Sequence, residues 1–226
     1  SASSESEASF LLAISEVLSY IVESEADKST NNEDDSSPRL GSDMNPEQSK
    51  DQHLRGMEIL TVALENVSRR MSANQILKNF ASLIVESLTD ISLGAVVREA
   101  AVGCVGRYVL LMDEESVIND YKPLIMDIAY SKDENIEIRA QALLILCDLA
   151  FLFHRILAPI KLDKVGENEV TLSDLLLDML SQPKKALAIV AAECATKLSF
   201  TGKIHDTKII GHLLSMYFDK DLEQSG

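Results

Sequence analysis

Residues 133–145 read Asp133-Glu134-Asn135-Ile136-Glu137-Ile138-Arg139-Ala140-Gln141-Ala142-Leu143-Leu144-Ile145. A polar turn leads into an aliphatic residue, an arginine, and then small and aliphatic residues at helical spacing. Two other stretches resemble it, Val97-Arg98-Glu99-Ala100-Ala101-Val102-Gly103-Cys104 and Leu187-Ala188-Ile189-Val190-Ala191-Ala192-Glu193-Cys194. In each, an aliphatic residue is followed four positions on by alanine: Ala101, Ala142 and Ala191. The first two also place arginine, Arg98 and Arg139, directly after the aliphatic residue. The stretches begin 41 and then 49 residues apart, the second interval lengthened by a loop from Lys161 to Glu169.

A two-helix unit recurring every ~40–47 residues is the period of HEAT and armadillo repeats. One hairpin cannot bury both of its apolar faces, so it stacks on the next. A small alanine lets the second helix approach its neighbour, and the arginine beside the turn can bond acidic or carbonyl groups. The expected fold is therefore all-α, a HEAT-repeat α-solenoid of stacked antiparallel helix pairs. Helices are expected near 54–70, 74–89, 95–112, 116–130, 136–156, 171–181, 184–200 and 205–218. Gly94, the turn 132–135 and Gly202 are the breaks. Ahead of them Phe10 to Val22 repeats apolar residues at three and four positions, with Ser9 as a candidate N-cap. The domain reading is a short N-terminal helix over 1–23, a disordered acidic linker over 24–52 and a HEAT segment over 53–226. The linker has Pro38, Gly41 and Pro46 and almost no apolar anchor. The last helix shows no partner in the sequence, as in a piece of a longer solenoid or one whose end a partner covers.

Composition narrows the function classes. Of 226 residues 46% are hydrophobic and 25% charged, the balance of a globular chain. Only 5% aromatic residues and nine glycines argue against a sheet-rich domain. The net charge is −15, with deficits of −8 over residues 1–70, −5 over 71–160 and −2 over 161–226. Cys104, Cys147 and Cys194 have no short spacing, so neither a disulfide framework nor a zinc site is indicated, and a reducing compartment is expected. The residues 138–153 are the densest apolar run, too short and too interrupted by Arg139, Gln141 and Asp148 to span a bilayer. No phosphate loop, nucleophile elbow or His pair on one helix turn is present, so an enzyme, a cofactor or a small-molecule substrate is not expected. His205 and His212 are seven apart but read as one exposed and one packed residue, and His154 as the close of an apolar helix. The three cysteines read as small buried hydrophobes, and Gly103 and Gly106 as sites of close helix packing.

The order of the motifs from Val96 to Gly106, then Ile138 to Leu143, resembles the HEAT-repeat G subunit of condensin, condensin complex subunit 3. Ala191-Ala192-Glu193-Cys194-Ala195-Thr196-Lys197-Leu198 is similar to that family's Ala-Ala-Glu-Gly-Leu-x-Lys-Leu. Gly202-Lys203-Ile204 and Ile209 to Phe218 are similar to its following helix, although no tryptophan is present. The resemblance covers roughly residues 55–220, in the family's C-terminal portion. It implies a non-catalytic scaffold that binds the kleisin subunit and, with it, double-stranded DNA in mitotic chromosome condensation. It also implies indirect contact with the SMC ATPase pair, and a nuclear and chromosomal location with a cytoplasmic pool. The alternative is a HEAT adaptor for transport or phosphatase assembly, with no nucleic-acid role.

Candidate surfaces follow. Backbone contact to DNA needs gathered lysine and arginine, and Lys184, Lys185, Lys197, Lys203 and Lys208 are the densest basic set. The concave side of a solenoid suits a peptide, and Leu152, Phe153, Ile156 and Leu157 are candidate apolar contacts for one. Ser37 precedes Pro38 in the linker, a minimal proline-directed phosphorylation site.

Overall fold

The computed structural model of the chain describes residues 6, 8–19, 46–67, 75–112, 115–162, 168–182 and 185–218. Ser37, the linker residues 24–45 and Lys184 lie outside them. The chain divides into two units, Ser1–Asp113 and Glu114–Gly226. Both are built from helix pairs of the kind the 40-residue period requires, and the fold is an all-α helical repeat.

The first unit holds α1 (8–19), α2 (Pro46–Asn66), α3 (Gln75–Thr89) and α4 (Ala95–Met112). Ser9 lies inside α1 and does not cap it, because the helix runs back through Ala8. Helix α2 starts at Pro46, taking in residues 46–52 that the sequence reading left in the linker. Proline at the first helical position supplies the right φ and gives up only an N–H that would be unpaired there. Helix α4 packs on both α2 and α3. Between α3 and α4, Asp90 Oδ1 accepts the Ser92 N–H at 2.8 Å and caps a 3₁₀ turn, Ile91–Leu93. These bonds hold the Asp90 carboxyl below the usual carboxylate range. Gly94 closes the turn at φ +83°, a conformation side chains rarely adopt.

The second unit holds α5 (Glu115–Tyr130), α6 (Ile136–Leu152), α7 (Leu172–Leu180), α8 (Lys185–Phe200) and α9 (Thr207–Phe218). Helix α6 pairs with α5 and stacks on α8, α8 pairs with α7, and α9 rests on α7 and α8. Caps set the helix starts: Asn135 Oδ1 accepts the Glu137 N–H, and Thr171 and Asp174 exchange side-chain and backbone bonds. At the end of α8 the Lys203 N–H reaches back to the Leu198 carbonyl at 2.8 Å, with Gly202 at φ +68°.

The stretch between α6 and α7 departs from expectation twice. Helix α6 ends at Leu152, short of the predicted 156, and His154–Leu157 form an exposed-edged 3₁₀ turn in which Ile156 is buried. The reason is Lys122 of α5. Only 5% exposed, its ammonium donates to the Arg155 and Ala158 carbonyls at 2.9 and 2.5 Å, pulling the chain off the helical path. Next, the expected loop forms a two-stranded antiparallel ribbon, β1 (Ile160–Lys161) with β2 (Glu169–Val170), Ile160 opposite Val170. Buried Leu162 and Val170 give the ribbon an inward side.

The two arginines of the repeat occupy equivalent corners. Each is the fourth residue of its helix, and each Nε donates at 3.0 Å to a penultimate carbonyl of the preceding helix: Arg98 to Leu88, Arg139 to Ala129. Ala101, Ala142 and Ala191 are each the seventh residue of their helix and fully buried. Enlarging them overfills a close helix contact. Ala142→Leu or Ala191→Leu should therefore lower unfolding free energy by roughly 1–3 kcal/mol. Ala186→Leu, on an exposed site of α8, should change it by less than about 0.5 kcal/mol. Urea melts measure both. Burial also pushes the Lys122 ammonium below the ordinary lysine value of 10.5. In the window between the lowered value and 10.5 the unfolded chain binds more protons, so this residue's contribution to stability should rise with pH there. Urea midpoints of the wild type against Lys122→Met across that alkaline window should show the increment only in the wild type.

Candidate binding face

Aligned from their first residues, α4, α6 and α8 present the same register. Positions three, seven and ten are buried: Val97, Ala101 and Cys104; Ile138, Ala142 and Ile145; Leu187, Ala191 and Cys194. All three cysteines are buried, as expected of small hydrophobes, and are free thiols. Cys104 Sγ lies 3.1 Å from Thr61 Oγ1 and donates to the Met57 carbonyl, joining α4 to α2, and burial pushes its thiol up.

Position thirteen faces water and carries charge: Arg107, Asp148 and Lys197. In the first unit Arg107 Nε donates to Glu65 Oε1 of α2 at 2.8 Å. In the second, Lys197 Nζ lies 3.8 Å from Asp148 Oδ1 of α6. Each unit thus pairs an acid on the earlier helix with a base on the later one. Exposed pairs of this kind are worth ~0–1 kcal/mol, so their effect is mainly to neutralise the face locally. Gly103 serves the same feature. It is half-buried, and an added Cβ would meet Arg107 Nη1, 3.3 Å away, so room for that side chain explains it better than helix packing does.

On the second unit this face is also apolar. Ile189, Ala192, Thr196 and Phe200 follow one another by three and four residues along α8, forming one stripe. Ile189 and Phe200 are exposed, Phe200 at 91%. Ala192, Glu193, Thr196, Lys197 and Phe200 line a shallow open depression. Leu152, near the end of the neighbouring α6, is exposed as well. Contiguous exposed apolar residues with a polar rim mark interaction sites. The four residues named in advance do not form one patch: Leu152 is exposed, Phe153 and Leu157 are half-buried, and Ile156 is in the core. Ile189 and Phe200 were missed, although α8 carries more apolar residues than its buried stripe of 187, 188, 191, 194, 195 and 198 uses.

The basic set is spread out. Lys185 and Lys197 are exposed on α8 but twelve residues apart, about 18 Å along the axis and a third of a turn out of line. Lys197, half-buried Lys203 and exposed Lys208 belong to the corner between α8 and α9, with Asp148, Glu193 and Asp206 close by in register or sequence. There the Lys208 N–H donates to Asp206 Oδ1 at 2.8 Å. Helix α9 buries only Ile209 and exposes Ile210, Leu214, Tyr217 and Phe218, the last two in an edge-to-face contact at 5.2 Å. His205 is in the loop and His212 in α9, so they share no helix. Among the described residues no His, Cys, Asp or Glu group is arranged to hold a metal ion, and no helix is long and apolar enough to cross a membrane.

Residues 55–225 match a family model described as nuclear condensing complex subunits, C-terminal domain. No curated protein and no solved structure matches the chain. If the α8 stripe is a surface for contact and not part of the fold, Ile189→Ser and Phe200→Ser should each leave stability within about 0.5 kcal/mol of wild type in urea melts.

Proposed function

The chain belongs to the condensin complex subunit 3 family, and from that premise we propose that it is a non-catalytic scaffold whose α8 face takes a segment of the kleisin subunit. The observation that carries this is the apolar stripe of Ile189, Ala192, Thr196 and Phe200 along α8, with Leu152 also exposed on the neighbouring α6. A kleisin segment with apolar side chains at helical or alternating spacing would fill the depression and cover Phe200. Burying one such aromatic ring contributes roughly 1.5–3 kcal/mol. The neutralised Asp148–Lys197 row would then sit at the rim, where it orients the segment without repelling it.

Double-stranded DNA is the second ligand of this proposal, bound jointly with the kleisin. The chain alone, at −15, repels a polyanion on average. Support for a local contact comes from Lys197, Lys203 and Lys208 around the α8–α9 corner, with Lys185 at the other end of α8 and Lys184 next to it in sequence, outside the described residues. Asp148 already faces Lys197 and limits the free charge, so kleisin bases would have to supply part of the contact. The SMC ATPase pair is reached only through the kleisin, and the working location is the nucleus and the chromosome, with a cytoplasmic pool. Ser37 in the acidic segment is a proposed site of proline-directed phosphorylation.

Co-purification with a kleisin segment at low salt tests the first contact. Wild type should retain the segment, and Ile189→Ser with Phe200→Ser together should weaken retention at least tenfold at unchanged stability. Failure of the wild type to retain any kleisin segment would remove the proposal. For DNA, fluorescence anisotropy across a salt series should show binding only when kleisin is present, and its affinity should fall steeply with salt. Binding that is absent or salt-insensitive in both states would remove the DNA role.

A further inference from the structure

Helix α9 has two apolar sides, and the described part of the chain covers one of them. Ile209 is fully buried, and His212, Leu213 and Met216 follow it at helical spacing, half-buried against α7 and α8. Turned away from that side, Ile210, Leu214, Tyr217 and Phe218 are 45%, 54%, 82% and 73% exposed. No Asp, Glu, Lys or Arg occurs from Ile209 to Phe218. The residues that follow, 219–226, hold one apolar residue, Leu222, and so offer no matching stripe.

Gly211 borders the exposed stripe, and the packing of this chain does not account for it. It lies inside the helix, where glycine is weaker than alanine. A Cβ added there would meet nothing within 4 Å. Neither a turn nor a close neighbour in the same chain needs glycine at this position.

We propose that the exposed side of α9 is a self-association surface, on which a second copy of this chain lays its own α9 antiparallel about a two-fold axis at Leu214. In that register Leu214 meets its own counterpart, Ile210 meets Phe218, and Gly211 meets Tyr217. Each contact recurs in reverse, as a two-fold interface requires. Tyr217, the most exposed residue of the four, then lies over the gap that Gly211 leaves. Its edge-to-face contact with Phe218, 5.2 Å between ring centres, holds both rings in place beforehand and lowers the cost of ordering them. Because the stripe is uncharged, pairing there brings no like charges of the −15 chains into direct contact. A phenylalanine or tyrosine side chain covers about 150–250 Å², so two copies of the stripe bury on the order of 1,000 Å², the small end for a specific interface. The product is a weak, concentration-dependent dimer. This inference goes beyond the kleisin reading: it uses α9 and leaves the α8 stripe free.

Sedimentation equilibrium of the intact chain from about 1 to about 300 µM tests it, a range around the micromolar affinity of a small interface. The mean mass should climb from the 24.9 kDa of one chain toward twice that value. Leu214→Glu and Leu214→Lys should each weaken dimerisation at least tenfold, because position 214 meets itself. An equimolar mixture of the two should regain the dimer. Gly211→Gln should unfold in urea no earlier than wild type, yet dimerise at least tenfold more weakly, since its side chain fills the place of the partner copy's tyrosine. A wild-type mass that stays at one chain throughout overturns the proposal. So does a dimer that Leu214→Glu leaves intact, or a mixture of the two charged variants that stays monomeric.

Discussion

At two hairpin corners a guanidinium reaches ten residues back along the chain to a carbonyl of the preceding helix's last turn, at 3.0 Å in both. The last four carbonyls of a helix have no partner inside it, and the end carries partial negative charge. An arginine four residues into the next helix satisfies one such carbonyl with a cation. It also fixes where the second helix starts relative to the first. The seventh residue of the second helix is fully buried in all three hairpins and is alanine each time. The register that buries positions three, seven and ten, and sends position thirteen to water, recurs in α8 without an arginine, so apolar burial sets it and the corner bond reinforces it in α4 and α6.

Much of this was legible before any coordinates. The recurring aliphatic-arginine-alanine pattern identified the paired helices, and α4 was predicted to the residue. What the sequence hid were effects of distant partners. Nothing near Leu152 says that α6 should stop there, because the cause is Lys122, some thirty residues upstream. The β1–β2 ribbon was equally hidden, since two-residue strands depend on the chain being folded back first. Ser9 and residues 46–52 were misplaced for a simpler reason: helix ends are decided by small differences that local composition does not resolve.

The binding face was only half legible. Position thirteen looked like three unrelated charged residues in sequence, yet pairs acid with base across neighbouring helices within each unit. A lysine count therefore overstates the free positive charge of α8, because Lys197 already faces Asp148. The apolar stripe was visible as a surplus of apolar residues in α8, but assigning it to solvent required knowing which face α6 occupies. The same knowledge moved Ile156 from the candidate surface to the core.

The third hairpin breaks the corner rule. Where Arg98 and Arg139 sit, α8 has Ala188, and the end of α7 is closed by Ser181 and Gln182, which bond carbonyls of that same helix. Among the described residues Ala188, at the arginine's position, cannot bridge from α8 to the end of α7. The α7–α8 corner is consequently held by buried aliphatic residues of the two helices, without the cation-to-carbonyl bond of the other two corners. A load borne by α8, on the face that exposes Phe200, would therefore meet one polar tie fewer at this corner than at the other two.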